Sequence, residues 1–116
     1  MSGTHAPISA EEALRRFPEL RILVELRDRA WRFHLLTENE RLVAVAATYS
    51  TDSHTDAVFV FDRTHVLANR LVGDGVVWMR DGSDLTEVVT DLLELPTPGQ
   101  PGAPCLVIRP TTLWIP

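Results

Sequence analysis

The chain has 116 residues, 45% of them hydrophobic and 23% charged, which suffices for one packed core and gives no reason to expect a second domain. Sixteen acidic side chains against eleven basic ones leave a net charge of −5, which argues against nucleic acid as a partner and against docking on an anionic membrane. Cys105 is the lone cysteine, so no disulfide can close within the chain, and the first residues carry neither the basic start nor the apolar stretch of a signal peptide; a soluble, cytoplasmic protein is the expectation.

Residues 1–8 are small and polar and read as a flexible tail ahead of one α+β domain over 9–116. Ser9 and Glu12 have the spacing of a capping box, which predicts a short helix to about Phe17, stopped by Pro18. Leu20, Ile22, Val24 and Leu26 alternate with Arg21, Glu25 and Arg27, the period of a half-buried strand; a helix over 20–29 is the rival reading. Trp31, Phe33 and Leu35 form a second alternation, and Thr37-Glu38-Asn39-Glu40 is a polar hairpin connection. Leu42–Tyr49 is apolar on both faces, as in a central covered strand. Ser50–Asp56 is the most polar stretch and reads as an exposed loop. Ala57–Phe61 is a strand by its β-branched and aromatic content, Val66–Val72 another, and Gly73-Asp74-Gly75 turns the chain into Val76–Met79. Leu85, Val88, Val89, Leu92 and Leu93 then fall on one stripe of an amphipathic helix ending near Leu95, with N-cap candidates at Asp81–Asp84. A Pro/Gly turn over 96–102 leads to a last strand, Cys105–Ile108, closed by Pro110. The fold expected is an antiparallel sheet of about five to seven strands, packed by one C-terminal helix, with a short N-terminal helix.

Candidate chemistry is sparse. Asp52, His54 and Asp56 sit at alternate positions, so an extended backbone points all three one way, as ligands for zinc or a hard cation or as contacts for a partner protein; the other reading is a solvated loop. No second cluster completes a metal site. Cys105 opens an apolar strand and reads as a small buried hydrophobe rather than a nucleophile. Trp114, near the proline-rich end, is a candidate interface residue, because aromatic side chains dominate binding hot spots. No catalytic constellation and no cofactor motif is found: the Gly-Asp-Gly break lacks the spacing of a phosphate cradle.

From Arg41 to Leu113 the chain resembles the EspG family. The resemblance is carried by Leu42–Ala47 running into a loop, by Asp56–Val60, and by Ser83–Leu93 leading through Pro96-x-Pro98-Gly99-x-Pro101-Gly102 into Leu106–Ile108. Members of that family are cytosolic chaperones of type VII secretion in actinobacteria, and the use of arginine for all eleven bases suits GC-rich coding. Family members are more than twice this length and built of two similar halves, which implies that this chain supplies one half and that a homodimer would rebuild the other. A fainter likeness, over Val60-Phe61-x-Arg63 and Gly73-Asp74 to Trp78, is to the SsgA-like cell-division proteins.

Together these point to a non-catalytic module that holds another protein, a secretion substrate if the resemblance holds. Two other functions are weighed beside it: an immunity or antitoxin protein with an acidic face, and a small ligand-binding or enzyme domain.

Overall fold

The computed structural model describes residues 3–25, 30–106 and 109–110. Among the described residues seven antiparallel strands follow one another in chain order across a single sheet: β1 (Gly3–Ile8), β2 (Arg32–Glu38), β3 (Arg41–Ser50), β4 (Thr55–Asp62), β5 (His65–Val72), β6 (Gly75–Gly82) and β7 (Arg109–Pro110). Two short helices, α1 (Ala10–Arg16) and α2 (Arg21–Val24), lie between β1 and β2, joined by a 3-10 turn at Pro18–Leu20. A longer helix, α3 (Leu85–Leu93), follows β6. The expected α+β class, with a short helix near the start and an amphipathic helix near the end, is what the chain forms.

Cross-strand pairing sorts the side chains onto two faces, because residues directly opposite in a ladder share a face. One face carries the rows Leu35–Val45–Val60–Val66 and Phe33–Ala47–Val58–Ala68. Those residues form one cluster with Ala13 of α1, Leu20, Leu23 of α2 and the stripe Leu85, Val88, Val89 and Leu92 of α3. Each fully buried side chain of that stripe contributes roughly 1.5–3 kcal/mol, so burial rather than helix propensity holds α3 in place. The opposite face carries a smaller cluster of Ala46, Ala57 and Phe59, with His34 in the same row, since it pairs with Ala46. Burial, followed by the nearby His5 and Arg32, holds the His34 imidazole below its ordinary pKa.

The local signals act as their chemistry predicts in most places. The Ser9 hydroxyl accepts from the Glu12 amide at 3.1 Å, capping α1, although the Glu12 carboxylate takes Arg15 and Arg16 (both 3.1 Å) instead of reaching back. Asp84 caps α3 by accepting from the Glu87 amide. Arg80 on β6 pairs with Glu87 and Asp91 across the wet side of α3. The β2–β3 connection is tighter than the four residues expected: Glu38 pairs with Arg41, and Asn39 and Glu40 alone make the turn, both at positive φ (53° and 66°).

Four expectations are corrected. Residues 3–8, read as tail, form β1, because pairing with β2 satisfies their backbone despite a small and polar composition. The alternation over 20–27 is not a strand in its described part. Pro18 starts a helical turn, and Leu20 and Leu23, three apart, are the residues that reach the core, so the helical period wins. Residues 26–29 lie outside the described residues. The polar loop is shorter than expected, with only 51–54 between β3 and β4. Finally, Cys105 and Leu106 are exposed and belong to no strand, while β7 is formed further on, by Arg109 and Pro110 against Val76 and Gly75. Residues 107 and 108 of the expected last strand, and Trp114, lie outside the described residues.

Candidate functional site

At one end of the helix-covered face the apolar rows give way to a polar one. Register places Tyr49 (β3), Asp56 (β4), Arg70 (β5) and Trp78 (β6) side by side. Arg70 and Asp56 are cross-strand partners and both almost completely buried, at 2% and 1% exposure. Arg70 donates from Nε to Asp56 Oδ1 at 2.7 Å and from Nη2 to Oδ2 at 3.0 Å, a two-pronged pair of the geometry that suits guanidinium and carboxylate. Its Nη1 donates to the carbonyl of Pro96, just past the end of α3. The sheet is thereby tied to the segment that leaves the helix.

His54 closes the cluster from the loop. Its Nε2 lies 3.6 Å from Asp56 Oδ2, and its Nδ1 is 3.0 Å from the hydroxyls of both Thr51 and Ser53. The loop folds tightly enough to present that ring: the Thr51 amide donates to the His54 carbonyl at 2.8 Å, and Ser50 and Thr55 hydroxyls meet at 3.0 Å at its base. Tyr49 packs edge-on to His54, with ring centroids 6.3 Å apart. Tyr49, Thr51, Ser53, His54 and Arg70, with Leu95 and Thr97 from beyond α3, line a cavity of about 210 Å³.

Of the residues expected to act at the loop, Asp52 is exposed, whereas His54 and Asp56 are buried. The three do not share a direction, because Asp56 already belongs to β4 while Asp52 sits in the turn. The Asp56 carboxylate is engaged by Arg70, and among the described residues no three His, Cys, Asp or Glu side chains gather as metal ligands. His54 faces the cavity, and Asp56 is enclosed against Arg70. Arg70, which organises the cluster, is marked in the sequence by its apolar neighbours. An arginine inside the apolar run Val66–Val72 must either break the strand or find a buried carboxylate.

Two surface features lie elsewhere. β1 borders the sheet, and among the described residues no strand pairs with its outer side; His5, Ala6 and Pro7 are exposed there. Pro7 suits that position, since a proline lacks an N–H and is confined to edge strands. Leu42 and Val43 on β3 and Phe61 on β4 are exposed large apolar side chains, at 48%, 39% and 36%. The Val45–Val60 pairing sets all three at one end of the sheet, and the Gly3–Glu38 pairing brings the start of β1 to that same end.

Comparison with family models, with curated proteins and with solved structures finds no match for the chain. No described helix is long and apolar enough to cross a membrane.

Proposed function

We propose that the protein is a non-catalytic interaction module that takes an extended segment of another protein along β1. The observation that carries this reading is the outer side of β1, which no described strand covers. An edge strand presents a row of backbone N–H and C=O groups that another strand can complete, and natural sheets blunt such edges unless they use them. Beyond Pro7, none of the described side chains along β1 supplies that protection: Ala6 is small and His5 is the one titratable group. Leu42, Val43 and Phe61 at the adjoining end offer an apolar anchor for the same partner.

The resemblance over Leu42–Ala47, Asp56–Val60 and Ser83–Gly102 gives that partner a class. In this version the chain is a chaperone or adaptor for a type VII secretion substrate, working as a homodimer in which each copy supplies one half. A monomeric mass by light scattering at micromolar concentration contradicts the dimer and leaves the edge-binding reading standing.

The test of edge binding is photo-crosslinking in the native host. A benzophenone side chain is placed at His5 or Phe61, with Thr86 on the exposed side of α3 as the control position. Discrete adducts with one other protein from His5 and Phe61, and none from Thr86, are expected. Adducts from Thr86 alone, or none from His5, overturn the proposal.

A further inference from the structure

The cavity beside Arg70 does not enter the edge-binding reading, and its wall has a consistent chemistry. Its lining consists of Tyr49, Thr51, Ser53, His54, Arg70, Leu95 and Thr97. Four of these bear hydroxyl groups, one is an imidazole and one a guanidinium. Asp56 is not among them, although its carboxylate pairs with Arg70 and lies 3.6 Å from His54 Nε2. In a chain of net charge −5, this wall carries one cation and no carboxylate.

Arg70 has five N–H donors. Among the described residues three are taken, two by Asp56 and one by the Pro96 carbonyl, which leaves two on a side chain 3% exposed. A buried donor without an acceptor costs roughly the desolvation of that group, so a site of this kind favours a ligand that brings oxygen acceptors. The guanidinium is also rigid: Asp56 and Pro96 hold it from two sides, so no ordering is needed before a ligand meets it. His54 is fixed in the same way by Thr51 and Ser53.

We propose that this cavity binds a small oxyanion, with Arg70 as the charged donor and the hydroxyls of Ser53 and Thr97 completing the contacts from the rim. The ligand chemistry is a carboxylate or phosphate group on a molecule small enough for about 210 Å³. The two kinds of group differ in shape: a planar carboxylate meets the two remaining N–H donors, whereas a tetrahedral phosphate also reaches both rim hydroxyls.

The experiment follows the Arg70 Nε–H resonance in the intact chain by NMR. Inorganic phosphate or acetate is titrated in at constant ionic strength, with chloride as the control. Saturable movement of that resonance by phosphate or by acetate, absent with chloride, is expected, and the tighter of the two identifies the class. The Thr97→Phe variant fills the cavity from an exposed position and leaves the Arg70–Asp56 pair intact. It is expected to weaken the tighter ion by at least about tenfold. If neither ion moves the resonance saturably, or if Thr97→Phe binds as the unaltered chain does, the proposal is wrong.

Discussion

Removing the Asp56 carboxylate is the sharpest perturbation of the polar cluster. In Asp56→Ala, Arg70 stays buried at 2% exposure with its charge uncompensated and two of its three hydrogen bonds gone. Breaking a buried ion pair from one side costs about 3–5 kcal/mol, a large share of the ~5–15 kcal/mol by which a domain of this size is stable. The corresponding fall in Tm is on the order of 10–20 °C. The double variant Asp56→Val/Arg70→Met replaces the pair with apolar groups of similar bulk. It should recover most of that loss, because neither charge is left stranded, although the Pro96 carbonyl loses its donor. Urea unfolding followed by tryptophan fluorescence reads both, since Trp78 is the cross-strand neighbour of Arg70 and Trp31 lies in the core. A loss under about 1 kcal/mol in Asp56→Ala, or a double variant no more stable than the single, would refute the account of the pair.

Two further outcomes are expected. Glu40→Gly should raise stability by roughly 0.5–1 kcal/mol, because a side chain at φ 66° is strained where glycine is not; a lower urea midpoint contradicts the turn geometry. Acid should destabilise the fold through His34, whose pKa in the folded chain lies below the ordinary 6.5, through burial first and then His5 and Arg32. The unfolded chain takes up the proton first as pH falls, so stability is full above 6.5 and declines as pH drops through it towards the folded value. The urea midpoint should therefore fall between about pH 7.5 and about pH 5.5, and His34→Gln should flatten that slope; an unchanged slope assigns it elsewhere.

The fold was legible where periodicity and turn chemistry agree. The apolar run of β3, the β-branched run of β4, the Gly73 turn at φ 61° and the stripe of α3 each had one reading only. The region before β2 was less so, because Leu20, Ile22, Leu23 and Val24 fit both periods over so short a span, and only Pro18 favours the helical turn. β1 was hidden for another reason. An edge strand needs little apolar content, since its stability comes from backbone pairing with β2, which composition does not record.

The polar cluster shows the same limit. The sequence singled out the 50–56 segment, and the structure brings its His54 and Asp56 together, but with Arg70 fourteen residues further on and not with Asp52. That pairing is set by the β4–β5 register, a long-range fact that local spacing cannot carry. The exposure of Cys105 is equally non-local: the described pairing with β6 is made by Arg109 and Pro110, and Cys105 lies on the surface.

Amide hydrogen exchange on β1 tests edge binding most directly. With the partner identified by crosslinking added in excess, the amides on the outer side of Gly3–Ile8 should slow by at least about tenfold, as expected for hydrogen bonds newly formed at a sheet edge, while those of α3 stay unchanged. Protection that falls on α3, or on no part of β1, would contradict the claim that this edge receives the partner.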